Sequence, residues 1–74
     1  MNTEDRKLIE ELIEQLEAIK SQIEELSESL QDRADNLDER FPDKAEQLSN
    51  QAEAVAEAVS TIEDAMSSLQ GADE

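Results

Sequence analysis

Leu8 to Leu37 runs LIEELIEQLEAIKSQIEELSESLQDRADNL, and two stripes pass through it in step. Ile9, Leu12, Leu16, Ile19, Ile23, Leu26, Leu30, Ala34 and Leu37 recur at alternating spacings of three and four, which on a helix makes one apolar seam. Glu10, Glu14, Glu17, Glu24, Glu28, Asp32, Asp35 and Glu39 keep nearly the same rhythm one step out of phase, with Ser21 as the only gap. At about 100° per residue they fall on the side facing away from the seam. The stretch predicts a long helix with an aliphatic edge and an acidic back.

Toward the N-terminus, Asn2 and Thr3 are suitable N-caps, and Glu4 and Asp5 sit in the first turn, where carboxylates favour the helix dipole. Leu8 and Ile13 flank the seam and widen it, and a wide apolar face needs more than one neighbour. Toward the C-terminus the seam keeps phase through Phe41 to Ala45, a pattern that would permit one continuous helix. Pro42 argues against it, because a proline inside a helix removes a hydrogen bond and clashes with the preceding turn, at a cost of about 3 kcal/mol. It also pushes Phe41 out of the helical region. The first helix is therefore expected over about 3–36, a connection within 36–41, and a second helix over about 42–70 that opens on Pro42. Gly71, the only glycine, is the expected stop, with 71–74 as a frayed tail.

The second helix carries its own seam, Ala45, Leu48, Ala52, Val55, Val59, Ile62, Met66 and Leu69, broadened by Ala54, Ala56, Ala58 and Ala65. Two helices of similar length on a short link fold back as an antiparallel pair. The expected fold is all-α, a single helical-hairpin domain over 1–74. A lone hairpin leaves much of two broad apolar faces wet, so two hairpins should pair into a homodimeric four-helix bundle, or coiled coil, along these seams. A bent or continuous long helix in an extended coiled coil is the alternative.

Composition points the same way. With 74 residues, no cysteine for disulfides and no histidine for a zinc site, association is the available staple. One Phe and no Tyr or Trp suit neither a sheet nor an aromatic-lined pocket. Six Lys plus Arg against 21 Asp plus Glu give a net charge of −15, with a pI near 4.1. Such a field repels nucleic acid and anionic membranes and attracts basic proteins or cations. No apolar run approaches the roughly 20 residues of a membrane span, and Met1 to Lys7 has no signal-peptide core, so a cytoplasmic location is expected.

Catalytic chemistry finds no support. Without Cys or His there are no thiol nucleophiles, His-based triads or ordinary zinc sites. Asp32 to Asp43 is acidic, but it lacks the glycine and the bidentate Glu spacing of an EF-hand. An exposed stripe supplies no cleft to push paired carboxylate pKa values apart. No glycine loop or basic patch offers direct nucleotide or nucleic-acid binding. The expectation is a non-enzyme with no cofactor and no metal.

The acids need a reason. Charged residues cover the outside of any helical bundle and keep it soluble. Exposed helices, however, usually set Lys against Glu at i, i+4, whereas here Glu10 stacks on Glu14, Glu24 on Glu28, Glu28 on Asp32, Asp35 on Glu39 and Glu53 on Glu57. Like-charge pairs weaken a helix about as much as opposite pairs strengthen it. No Lys or Arg follows Lys44, so Glu46, Glu53, Glu57 and Asp64 form a second unrelieved stripe. Over a hairpin about 50 Å long, the net charge amounts to one per about 3.4 Å, and two hairpins to one per about 1.7 Å, the charge spacing of duplex DNA. Adaptation to high intracellular salt is a third reading, which the preference for Glu over Asp does not favour.

At Asp35-Asn36-Leu37 and at Ile62-Glu63-Asp64-Ala65-Met66-Ser67-Ser68-Leu69 the chain resembles short acidic hairpin proteins of bacteriophages and bacterial mobile elements. Those carry an Asp-Asn-Leu-Pro turn between a Glu-rich helix and a second helix ending in a Leu-Glu-Asp-Ala-Ile-like repeat. Here the proline comes at Pro42 instead of directly after Leu37. The resemblance implies a helical hairpin and a phage setting, in which an anti-CRISPR-like nucleic-acid mimic acting in the host cytoplasm is a natural role. The expected partner is a basic nucleic-acid-binding protein surface, met by the two acidic stripes. The rival expectation is a structural adaptor that binds a partner helix through its apolar seam.

Overall fold

The computed structural model describes residues 1–73 and contains two helices, α1 (Thr3–Leu37) and α2 (Pro42–Asp73), with no strand among the described residues. Asn2 caps α1: its backbone is extended and its Oδ1 accepts from the Asp5 N–H at 2.8 Å, satisfying one of the free donors of the first turn. No glycine or proline interrupts the next 35 residues, which rise about 52 Å.

The reversal occupies Asp38 to Phe41. The Leu37 carbonyl accepts from the N–H groups of Arg40 (3.1 Å) and Phe41 (2.8 Å), closing α1, and the Phe41 carbonyl accepts from Ala45 (2.9 Å), opening α2. Pro42 takes the first helical position, where its missing N–H leaves no bond unmade. At the far end α2 does not stop at Gly71 but continues through it to Asp73, and no residue among those described has a positive φ. The three-four rhythm explains the extension. One more step beyond Leu69 is Asp73, whose half-buried carboxylate lies 4.0 Å from the Arg6 guanidinium. Of the expected tail, Glu74 lies outside the described residues.

The helices run antiparallel in a slab of 58 × 15 × 10 Å. The Ser27 hydroxyl donates to the Ala52 carbonyl at 3.0 Å, Gln31 meets Ser49, and Arg6 meets Asp73, so each step back along α1 is matched by one forward along α2. In this register Ala34 lies across from Ala45. Both are almost fully buried, at 3% and 4% exposure, as is Ala52 at 3%; Ile9 is the one large side chain buried to a similar degree. Small residues bring the backbones together near the turn. Larger ones, half-buried, fill the remainder.

The inner edge of α1 is Ile9, Ile13, Leu16, Lys20, Ile23, Ser27, Leu30, Ala34 and Leu37. That edge shares six residues with the seam expected from sequence but replaces Leu12, Ile19 and Leu26 by Ile13, Lys20 and Ser27. Leu12, Ile19 and Leu26 are 37%, 45% and 48% exposed. On α2 the expected seam residues Leu48, Val55, Val59, Ile62, Met66 and Leu69 all face α1 as half-buried positions. The phase of α1 follows from its neighbour: Ser27 is short enough to sit against the Ala52 backbone, where Leu26 would hold the helices apart.

Two substitutions check this packing. Ala45→Leu should overfill the tight end and destabilise by about 1–3 kcal/mol, lowering Tm by roughly 4–8 °C per kcal/mol, while Ala56→Leu on an exposed position should change little. Gly71→Ala should raise Tm, because the added Cβ meets nothing within 4 Å and helix propensity improves by about 0.5–1 kcal/mol. A left-handed glycine cap at this position would give the opposite sign.

Candidate functional site

The hairpin sorts its remaining side chains by their distance from the inner edge. Positions one residue after an inner residue are Glu10, Glu14, Glu17, Ser21, Glu24, Glu28, Gln31, Asp35 and Asp38 on α1, and Glu46, Ser49, Glu53, Ala56, Ser60, Glu63, Ser67 and Gln70 on α2. On antiparallel helices the same offset turns both sets to the same broad face of the slab. The Ser49 hydroxyl, 3.4 Å from Gln31 Oε1, joins two such positions across that face. Shallow grooves lie along it. One near the turn is lined by Gln31, Asp35, Asp38, Glu46 and Ser49, and one toward the open end by Lys20, Glu63, Ser67 and Gln70.

This face holds ten carboxylates, all exposed, and none of its positions is a Lys or Arg. From Glu10 to Asp38 the helix rises about 42 Å, so the acids average one per about 4 Å, close to the roughly 3.4 Å between phosphates along a DNA strand. Lys20 is the nearest ammonium along most of its length, and it is half-buried on the inner edge. Exposed carboxylates in rows of this kind accept hydrogen bonds from Lys and Arg of a partner. They offer no enclosed volume for a substrate. Among the described residues no three acidic side chains converge closely enough to hold a metal ion, and no helix is long and apolar enough to cross a membrane.

Of the acids singled out from sequence, Glu10, Glu14, Glu17, Glu24, Glu28, Asp35, Glu46 and Glu53 share this face. Asp32 lies on the outer edge of α1, Glu57 and Asp64 on the outer edge of α2, and Glu39 in the turn. Asp38 and Glu63 belong to the face and were not singled out. Counting one residue onward from Leu37 and Ile62 finds both, once the inner edge is known.

The opposite broad face is one residue before each inner position. It presents Leu8, Leu12, Gln15, Ile19, Gln22, Leu26 and Ser29 beside Gln47, Gln51, Ala54, Ala58, Thr61, Ala65, Ser68 and Ala72, without one charged residue over these turns, and Arg33, Asn36 and Lys44 at the turn end, so the whole face is free of carboxylates. In a chain with 21 Asp plus Glu, the segregation of the acids from this face is complete. The molecule is thus an acidic helical hairpin with two unlike faces. No family model, curated protein or solved structure matches the chain.

Rows of like charge are held together against their own repulsion, and salt should relieve it. Tm should rise between about 10 and 300 mM NaCl, as the screening length falls below the spacing of neighbouring rows, and Glu14→Gln/Glu24→Gln/Glu28→Gln should flatten that rise. A triple variant that keeps the full salt response would show that repulsion on this face is negligible.

Proposed function

We propose that this chain is a non-enzymatic, acidic interaction protein that works as a homodimeric four-helix bundle and occupies the basic nucleic-acid-binding surface of a partner protein. The observation that carries the reading is the broad face of ten carboxylates without an intervening cation. The two helices hold that face stiff, so a groove lined with Lys and Arg meets its counter-charges already arranged and little ordering entropy opposes binding. Fifteen net charges over the 58 Å length give one per about 4 Å for each hairpin and half that spacing for two side by side, near that of duplex DNA. Association of this kind is steered by long-range attraction and weakened by salt.

Glu10, Glu14, Glu17, Glu24 and Glu28 form the centre of the contact, with Asp35, Glu46 and Glu53 extending it and Asp32, Glu39, Glu57 and Asp64 adding to the field from the edges. In the phage setting that the sequence resemblance implies, the partner is a nucleic-acid-binding complex of host defence and the compartment is the host cytoplasm.

Immobilised protein should retain, at about 50 mM salt, bacterial proteins that duplex DNA also retains; free duplex should displace them and about 500 mM salt should release them. Glu10→Lys/Glu14→Lys/Glu24→Lys/Glu28→Lys should retain none of them while keeping its helical circular dichroism and its oligomeric state. Retention that survives both high salt and charge reversal, yet fails on Leu26→Asp, would replace this reading with that of an adaptor bound through aliphatic side chains. The exposure of Leu12, Ile19 and Leu26 gives that alternative its own footing.

A further inference from the structure

The carboxylate-free face has an asymmetry of its own. On α1 it carries the large side chains Leu8, Leu12, Ile19 and Leu26, exposed at 54%, 37%, 45% and 48%. Beside them α2 carries small or short ones from Ala54 to Ala72, with Ala54, Ala58, Thr61 and Ala65 at the centre, and the longer Gln51, Gln47 and Lys44 only toward the turn. One half of the face is a ridge and the other a trough, and both run parallel to the long axis of the slab. A surface of this shape complements itself.

We propose that a second copy of this chain covers the carboxylate-free face, related by a two-fold axis parallel to the helices, so that the aliphatic ridge of each copy seats in the alanine trough of the other. This deepens the homodimer of the proposed function and rests on it. The axis keeps residues at the same height along the rod, and the hairpin register then fixes the pairs. Ile19 of one copy sits between Ala58 and Thr61 of the other, Leu12 between Ala65 and Ser68, and Leu26 between Gln51 and Ala54. Every neighbouring pair of helices is antiparallel. The other two-fold arrangement sets ridge on ridge and trough on trough, which forces one helix pair far apart and the other close together.

Three observations name a second copy as the occupant. The face bears no carboxylate and its charges are confined to Arg33 and Lys44 at the turn end, so a basic partner gains nothing there, whereas a second copy at −15 can approach because its own acids point away. The ridge from Leu8 to Leu26 and the trough from Ala54 to Ala72 match each other in length and position, as an isologous contact requires. The exposed area is 5606 Å², against about 4,600 Å² for a compact monomer of this mass, and the excess of about 1,000 Å² is what each partner of a stable interface of standard size covers. In the resulting bundle both acidic faces are outermost.

Sedimentation should give twice the single-chain mass of 8.3 kDa, with a helical melt that rises with concentration. Ile19→Asp/Leu26→Asp should sediment as one chain and remain helical at low temperature, because neither residue is buried in the hairpin, while Glu17→Lys/Glu24→Lys should stay a dimer. The chain has no cysteine, so single introduced thiols report the arrangement directly. Ile19→Cys chains mixed with Ala58→Cys chains should cross-link under mild oxidation, and Ile19→Cys alone should not. A native chain that sediments as a monomer, or Ile19→Cys that cross-links to itself, overturns the inference. Binding of basic proteins is read separately: a monomer that still binds them overturns only the dimer, and a dimer that binds none overturns only the charge-mimic reading.

Discussion

The close contact near the turn, where Ser27 donates to the Ala52 carbonyl and Ala34 faces Ala45, sets everything else in the molecule. Side chains this small allow the two backbones to approach, and that approach fixes both the register and the rotation of each helix about its axis. Once the rotation is fixed, the side of the slab a residue occupies is decided by counting. A step forward from the inner edge leads to the acidic face and a step back to the one without carboxylates. The farther layers of Ile, Leu, Val and Met contribute area along the rod but only follow the phase chosen at the tight end.

The elements themselves could be read from the sequence because their signals are local. Asn2 before Glu4 and Asp5, the unbroken run to Leu37 and the constraint of Pro42 on Phe41 all act within a turn or two of where they stand. The phase of α1 was a different matter. Two three-four series overlap in it, sharing Ile9, Leu16, Ile23, Leu30, Ala34 and Leu37, and differing only in Leu12, Ile19 and Leu26 against Ile13, Lys20 and Ser27. By hydrophobicity alone the first series wins, since it puts a large aliphatic where the second has a lysine and a serine. The hairpin takes the second, because the fit against α2 outweighs the burial lost. No window on α1 contains that information. The helix runs past Gly71 for a related reason: a glycine permits a left-handed cap without requiring one, and the contact between Asp73 and Arg6 lies beyond it.

The acidic row was legible as a row, since charge at regular spacing needs no partner to be seen. Its division between face and edge was not. Asp32 and Asp35 look equivalent along the chain, yet the first lies on the outer edge and the second on the broad face, and only the position of the inner residues Leu30 and Ala34 separates them. Asp38 and Glu63 do not stand out along the chain, because they adjoin Glu39 and Asp64, acids of stronger periodicity. Both join the face through its counterpart on the other helix, a relation that appears only when the chain folds back on itself.

The separation of the two faces bears on why the chain is acidic at all. Carboxylates that served only solubility, or only a high-salt cytoplasm, would be as useful on either side of the slab, and mixing them with Lys would relieve their mutual repulsion. Here they are crowded onto one face and the edges, while the other face has no carboxylate: Gln15, Gln22, Gln47 and Gln51 fill polar positions along it, with Arg33 and Lys44 at the turn end. Glutamine there keeps the chain soluble before assembly and costs little to cover afterwards, whereas a buried unpaired glutamate would be costly. The choice of amide over carboxylate on one side and carboxylate over amide on the other follows if the first side meets a copy of itself and the second meets a basic surface. The two proposals thus explain each other's residues: covering the carboxylate-free face leaves the carboxylate rows outermost on both sides of the rod, and a cationic groove that approaches from either side meets the same arrangement.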